Sequence, residues 1–283
     1  MERYINKINF WRSIVILILY IVFTIVVAVP LMFLPLENYI SGFDNNIAQA
    51  IGYFFSLLLT IFAAYKIYVF KTDQSDQAGM WTYFNFSMGK KTKYINIVIV
   101  TMVMILWVDF FTSLIPMHEL FKKLFEEAFN LSFASIFTIA IMAPIFEEML
   151  ARGLVLEGFT NRYSATKSVI LSAIFFGLIH LNPWQFIGGF ISGLFLGYLY
   201  YKSRSLGASI FVHFLNNSLS VLVMLKYPDV NLSFRDIIGD TNYYMALVLS
   251  IPSVYIILKK LNKQLNKEYK TASYEIGNSN QQS

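Results

Sequence analysis

Residues 133–158 read FASIFTIAIMAPIFEEMLARGLVLEG, an apolar run that is interrupted by Glu147, Glu148 and Arg152. The run is long enough to cross the hydrocarbon core of a bilayer, which takes about 20 residues of helix. A charged residue inside such a helix costs about 2–3 kcal/mol or more on insertion scales, so it usually marks a functional site. The stretch therefore predicts a membrane-spanning helix with polar chemistry inside it.

The rest of the chain has the same apolar character. Of its 283 residues, 57% are hydrophobic and 14% are charged, and the mean hydropathy is +0.56. A soluble domain of this size could not bury so much apolar surface, whereas a bilayer can. Spans are predicted at about 12–35, 51–70, 95–117, 133–158, 166–181, 184–201, 206–225 and 243–258. We therefore predict an all-α, polytopic membrane protein of about eight helices, with one transmembrane domain over 1–261 and a polar, disordered cytoplasmic tail over 262–283.

Lys and Arg are distributed unequally between the two sides of the membrane. With alternating spans, 17 of them fall on the side of both termini and four on the other side. Basic loops stay in the cytoplasm, so both termini are expected there. The net charge of +5 lies in these loops and in the tail, which fits a membrane protein better than a protein that binds nucleic acid. The lack of cysteine excludes disulfides, thiolate metal sites and a cysteine nucleophile.

Polar residues on two further spans complement the carboxylates. His180 ends the fifth predicted span, and the seventh carries His213 and Asn217, which share a helix face because they are four residues apart. Glu148 and Arg152 have the same spacing and can form an ion pair. The adjacent Glu147 points about 100° away and has no such partner.

Together these side chains match the needs of peptide hydrolysis, namely an activated water, a donor to the oxyanion and a proton for the leaving amine. We expect Glu147 and His180 to activate water, and His213 and Asn217 to donate hydrogen bonds to the oxyanion. The ion pair would hold the helix and the local charge in place. An alternative is a zinc site in which Glu147, His180 and His213 are the ligands and water takes the fourth position. The residues alone do not distinguish the two mechanisms.

These motifs resemble the family of CAAX proteases and bacteriocin-processing enzymes (CPBP, also called Abi), which includes the Ras-converting CAAX endoprotease of eukaryotes. That family is marked by Glu-Glu-x-x-x-Arg, Phe-x-x-x-His and His-x-x-x-Asn on successive spans, which here match 147–152, 176–180 and 213–217. The resemblance implies eight helices around a polar cavity that faces the cytoplasm. It also implies glutamate-dependent hydrolysis, described both as metal-dependent and as metal-free, of which we favour the metal-free version.

The same resemblance implies a substrate class. Bacterial members of the family are linked to bacteriocin immunity, peptide maturation and membrane signalling, and the richness in Lys, Ile and Asn is typical of an AT-rich bacterial genome. We therefore expect a multi-pass protein of a bacterial plasma membrane. It would act as an endopeptidase on a membrane-associated or lipid-modified peptide or protein, most readily a non-prenylated one.

Two other functions could use these residues. A non-enzymatic bacteriocin-immunity or scaffold protein would bind a peptide or a sensor kinase in the membrane, and it would tolerate Glu147→Gln. A transporter is the second alternative because intramembrane Glu and His residues also form proton relays. The chain shows no two-half repeat, which disfavours transport. Asp109, in the third predicted span, has no role that the sequence explains.

Overall fold

The structure is a computed structural model that describes residues 4–33, 45–71, 79–88, 91–119, 122–123, 132–227 and 232–279. These residues form a helical bundle with one pair of short strands. The elements are β1 (Tyr4–Asn6), α1 (Phe10–Leu31), α2 (Asn45–Tyr68), β2 (Val69–Lys71), α3 (Met80–Tyr83), α4 (Tyr94–Ser113), α5 (Phe133–Thr160), α6 (Ala165–Leu178), α7 (Pro183–Ser203), α8 (Leu206–Lys226), α9 (Phe234–Ile238) and α10 (Asp240–Ser279). The predicted all-α class is confirmed, and the two strands of three residues each are an addition to it.

Six helices of the described chain are long and apolar enough to cross a membrane: α1, α2, α4, α5, α8 and α10. The predicted count of about eight spans is therefore not confirmed. The two remaining predicted segments are the helices α6 and α7. With 14 residues α6 is about 21 Å long, less than the roughly 30 Å of a hydrocarbon core. The helix α7 is long enough, but its glycines, tyrosines and Gln185 dilute the apolar run.

Helices α6 and α7 form a closely packed antiparallel pair. A Cβ atom added at Gly189 would lie 3.1 Å from the Cα of Gly177, and one added at Gly193 would lie 3.0 Å from the Cα of Ala173. Only small residues let two helix backbones approach this closely. The turn between the helices is fixed by Asn182, whose side chain caps the start of α7. This packing sets the position of the residues at the end of α6.

The N-terminal strand and the second half of the last helix lie at the same end of the bundle. Strand β1 pairs with β2 in antiparallel fashion, and Asn6 Nδ2 donates to the carbonyl oxygen of Leu154 at 2.8 Å. Asn85 Nδ2 donates to the carbonyl oxygen of Arg204 at 2.7 Å. The ends of α2, α5 and α7 and the starts of α1 and α8 therefore lie together. We call the end that holds β1, β2 and α3 the basic end, and the opposite end, which holds α9, the distal end.

The last helix also returns to the basic end and continues well past the predicted boundary at residue 261. Leu261 and Leu265 are 0% and 1% exposed, and Gln264 Oε1 accepts a hydrogen bond of 2.8 Å from Asn96. The polar, disordered cytoplasmic tail over 262–283 stays a prediction, and residues 262–279 continue α10 as a helix. The reason is that two leucines four residues apart form an apolar stripe that packs into the core. Residues 280–283 lie outside the described part of the chain.

The hydrophobic core lies between the basic end and the middle of the bundle. Every residue of Met149–Leu156 is buried, and Phe159 is completely inaccessible. Ile8, before α1, and Leu206, at the start of α8, belong to the same apolar cluster. The second half of α5, from Met149 on, is therefore surrounded by protein on all sides.

Candidate active site

Helix α5 positions two adjacent glutamates. It changes from a π-helical stretch (Thr138–Met142) to an α-helical one (Ala143–Glu148) and back to π-helical geometry at Met149–Leu156. Wide π-helical turns are frequent at functional sites because they re-aim side chains. Glu147 and Glu148 are both buried, and since consecutive residues point about 100° apart, they enter different surroundings.

Pro144 leaves one backbone carbonyl of α5 to be satisfied from outside the helix. The N–H of Ala143 donates to the oxygen of Thr138, and Pro144 has no N–H that could donate to Ile139. Asn217 on α8 supplies the missing donor, with its Nδ2 2.8 Å from the Ile139 oxygen. The Asn217 side chain is thereby fixed to α5, and its amide nitrogen keeps a second N–H that can donate elsewhere.

Glu148 is held by an internal ion pair. Arg152 Nη1 lies 2.7 Å from Glu148 Oε1, and both side chains are completely buried. The predicted pairing of these two residues is confirmed. The same Oε1 lies 3.0 Å from Nδ1 of His213 on α8. A buried carboxylate is tolerated when it has such partners, and it becomes strongly destabilising when one of them is removed.

Phe176 on α6 connects the charged groups to the imidazoles. The Arg152 guanidinium carbon lies 4.1 Å from the centre of the Phe176 ring, a cation–π contact, and Arg152 Nη2 also donates to the Gly193 carbonyl oxygen. The His180 and His213 rings both lie nearly perpendicular to the same phenyl ring, at centroid distances of 5.3 and 5.4 Å. Phe176 therefore fixes the spacing between the ion pair and both histidines.

Glu147 faces the two imidazoles from the other side. Tyr53 on α2 donates a short hydrogen bond to Glu147 Oε1. Glu147 Oε2 has no hydrogen-bond partner among the described residues, and it lies 3.8 Å from Nε2 of His213 and 4.0 Å from Nε2 of His180. Both distances exceed hydrogen-bond length. One carboxylate oxygen is thus fixed by a tyrosine, and the other faces two ring nitrogens.

The partners of the other ring nitrogens determine where the protons lie. His180 Nδ1 is 2.8 Å from the carbonyl oxygen of Phe176, and His213 Nδ1 contacts the Glu148 carboxylate. A carbonyl or carboxylate oxygen can only accept, so Nδ1 donates in both rings. In the neutral rings the Nε2 lone pairs therefore point toward Glu147. Two carboxylates and one guanidinium leave one excess negative charge in the cluster, which a single proton on Glu147 or on either imidazole neutralises.

These groups form one wall of a cavity of about 670 Å³. Most side chains that line it are uncharged, either apolar, aromatic or polar. The uncharged residues with a hydroxyl or amide side chain that line it, apart from the tyrosines, are Thr24, Asn46, Gln49, Thr112, Ser135, Thr138, Gln185, Ser192, Asn216, Asn217 and Ser220. No Lys or Arg is among the described residues of the lining, whose acidic groups are Asp109 and Glu147. The structure thus brings Glu147, His180, His213 and Asn217 to one cavity, with Glu148 and Arg152 directly behind it.

The cavity lies in the distal half of the bundle, away from both ends of the chain. On α2 it is lined from Asn46 to Tyr53, the first residues of that helix, and on α4 by residues from Ile105 to Thr112, the last ones. The resemblance implied a cavity that faces the cytoplasm, whereas the distribution of basic residues places both termini there. Because β1 and the C-terminal half of α10 lie at the end opposite the cavity, these two predictions are in conflict.

The structure also gives roles to two residues that the sequence left unexplained. Tyr53 was missed because a single tyrosine on α2, one of 18 in the chain, carries no motif. Asp109 accepts hydrogen bonds from the Phe234 backbone N–H at 3.0 Å and from the Tyr243 hydroxyl at 2.7 Å. It therefore ties α9 and the start of α10 to α4 at the distal end. His118, the third histidine, is exposed and lies outside the cavity.

The zinc alternative can be compared with this geometry. Ligand atoms that share a tetrahedral zinc ion at 2.0–2.1 Å lie about 3.4 Å apart. The separations of 3.8 and 4.0 Å between Glu147 Oε2 and the two Nε2 atoms are longer. Within the described ranges no group of three His, Asp or Glu side chains could hold a metal ion. The side chains as arranged do not fit a metal site.

Three motifs from three helices thus converge on one buried cluster. Residues 129–219 match the Rce1-like family. That family is described as type II CAAX prenyl endopeptidase Rce1-like, and the match confirms the resemblance inferred from the motifs. It covers about a third of the chain, from just before α5 into α8, and it does not include Tyr53. The family points to a CAAX-type endopeptidase that acts within the membrane. No curated protein and no solved structure matches the chain.

Proposed function

We propose that the protein is an intramembrane endopeptidase in which Glu147 is the general base. The observation that carries the proposal is the position of Glu147 Oε2, a buried oxygen that faces the Nε2 atoms of His180 and His213 at the edge of the cavity. A carboxylate oxygen that is free of structural partners can accept a proton from water. The family match supports the same reaction class.

In the first step Glu147 takes a proton from a water molecule as the water oxygen bonds to the peptide carbonyl carbon. His180, whose ring is held by the Phe176 carbonyl, orients that water with its Nε2 lone pair. Tyr53 holds the other oxygen of the glutamate, so that Oε2 keeps its direction during the transfer. General base catalysis of this kind contributes about 10²–10⁴-fold to the rate.

The carbonyl oxygen becomes negatively charged at this point and needs donors. Asn217 can donate the amide N–H that is not used by Ile139, and it is already fixed in place by that bond. His213 can donate from Nε2 when its ring is protonated, while its Nδ1 donates to the Glu148 carboxylate. Preorganised donors to an oxyanion are each worth about 10²–10³-fold in rate.

In the last step the proton returns to the leaving group. The C–N bond breaks as the peptide nitrogen receives the proton from Glu147, which gives a new amino terminus and a new carboxyl terminus. Glu148 and Arg152 take no proton in this scheme. Their buried pair keeps His213 in position and sets the charge of the cluster.

The proposal is tested by comparing peptide ends in cells. Wild type, Glu147→Gln and His180→Ala are produced at matched abundance, with Glu119→Gln as a control because Glu119 is an exposed carboxylate outside the cavity. Membrane and secreted peptides are then compared by mass spectrometry. We expect the same set of termini to disappear in both site variants and to persist in the control.

The alternative functions predict other results. If peptide termini are identical in all four strains and an immunity or signalling phenotype survives in Glu147→Gln, the protein binds its partner without cleaving it. A response that depends on the proton gradient without new peptide ends would indicate transport. A purified, active sample treated with a metal chelator tests the mechanism, because the metal-free scheme predicts that cleavage continues.

A further inference from the structure

We propose that substrate enters the cavity from the distal end, and that this end faces the non-cytoplasmic side of the membrane. The substrate would then be a peptide segment on the outer side, or in the outer leaflet, rather than a cytoplasmic tail. Cleavage of that segment rests on the proposed function, whereas the side of entry does not.

The first argument is the position of the lining residues along each helix. On α8 the lining begins at His213 and continues to Met224, toward the end of the helix, and on α1 it runs from Tyr20 outward to Ala28. On α5 it occupies the first half only, up to Glu147. Helices that run in opposite directions therefore contribute their opposite halves. As lined by the described residues, the cavity consequently extends from the glutamate toward the distal end.

The second argument is that the basic end is sealed beneath the site. Arg152 and the apolar residues of Met149–Leu156 are inaccessible to solvent, and Phe159, Ile8 and Leu206 continue this layer. Protein interiors of this kind are close-packed and have no continuous path for water. A peptide could not reach Glu147 from the basic end without unfolding the core.

The third argument concerns which end lies in the cytoplasm. The contacts of Asn6 with Leu154 and of Asn96 with Gln264 place strand β1 and the C-terminal half of α10 at the basic end. Leaving out Arg152, which is buried inside α5, the sequence positions on that side hold 16 of the 22 Lys and Arg residues, and those on the distal side hold four. A bias of this size orients a multi-pass protein with its basic side inward. The distal end, and with it the cavity, is then outside.

The inference is tested by cysteine labelling, for which the chain is well suited because it has no cysteine of its own. Three exposed serines are changed one at a time. Ser220 lines the cavity, Ser113 lies at the distal end outside it, and Ser87 lies at the basic end. The variants are Ser220→Cys, Ser113→Cys and Ser87→Cys. A membrane-impermeant maleimide is added to intact cells and, in a second sample, to permeabilised cells.

We expect Ser220→Cys and Ser113→Cys to react in intact cells, and Ser87→Cys to react only after permeabilisation. The reverse pattern would show that the cavity faces the cytoplasm, and it would overturn the inference. Reaction of Ser113→Cys in intact cells without reaction of Ser220→Cys would overturn it as well, because the cavity would then be closed on that side.

The outcome is separable from that of the proposed function. Labelling is repeated in the Glu147→Gln background, where the same pattern is expected because orientation does not depend on cleavage. In active protein, modification of Ser220→Cys should cause loss of peptide products, and modification of Ser113→Cys should not. The expected labelling pattern combined with peptide ends that do not depend on Glu147 would refute the protease proposal and leave the side of entry established.

Discussion

The two halves of α5 have different surroundings. From Met149 to Leu156 the helix is buried on every side, whereas from Ser135 to Glu147 one of its faces lines the cavity. The buried half packs against protein on all sides and forms the floor of the cavity, whereas the other half borders the cavity. Glu147 and Glu148 lie at the boundary between them. Two adjacent residues therefore have different surroundings, since Glu147 faces the cavity and Glu148 belongs to the buried half.

The largest expected effect comes from removing the base on the cavity side. Glu147→Gln keeps the size of the side chain and should lower the rate of peptide cleavage by about 10²–10⁴-fold. The thermal midpoint of the purified protein should stay close to that of wild type, because only Tyr53 donates to this carboxylate. Parallel rate and thermal-melt measurements check this prediction. A thermal midpoint far below that of wild type would mean that Glu147 also stabilises the fold.

The next largest effect is a loss of stability when the buried Glu148–Arg152 pair is broken. Arg152→Leu should lower the free energy of unfolding by about 3–5 kcal/mol, because it leaves the Glu148 carboxylate buried without its cation. Denaturant unfolding in detergent measures the loss, with Arg162→Leu as a control at an exposed arginine. The double variant Glu148→Gln with Arg152→Leu should be more stable than Arg152→Leu alone. Equal losses from Arg152→Leu and Arg162→Leu would contradict a structural role for the buried pair.

A smaller effect is expected at the tyrosine that positions the base. Tyr53→Phe keeps the ring and removes the hydroxyl that donates to Glu147. A hydrogen bond to a charged group contributes about 1.5–3 kcal/mol, so kcat should fall roughly tenfold or more. KM should change little, since the ring still fills its place in the cavity wall. Steady-state kinetics separate the two parameters, and a change confined to KM would mean that Tyr53 binds substrate instead.

The smallest effect is expected at Asp109, which lines the cavity but holds α9 and α10 rather than the motif residues. Asp109→Asn weakens the bonds to the Phe234 N–H and the Tyr243 hydroxyl by about 1 kcal/mol. Hydrogen exchange of residues 232–243 should become faster while cleavage continues at nearly the same rate. Asp240→Asn is the control because that carboxylate is largely exposed, in a surface pair with Arg235. A large loss of cleavage in Asp109→Asn would move this residue from the cavity rim into the mechanism.

Part of the site follows from local spacing and could be predicted from the sequence. Residues four apart on a helix share a face, so the Glu148–Arg152 pair needed only helical geometry. The three motifs likewise predicted that side chains from α5, α6 and α8 would meet. Tyr53 could not be found in this way, because it reaches Glu147 from a helix 94 residues earlier in the chain.

The sequence by itself determined that the chain is a helical membrane protein and which polar residues lie inside it. Both follow from the cost of burying charge in hydrocarbon, which is a property of single segments. Only the tertiary structure decided that His213 bridges Glu148 and faces Glu147, that α10 continues to Ser279, and that the cavity lies away from the chain ends. These features depend on how separate helices pack against one another, and no spacing within one segment records that packing.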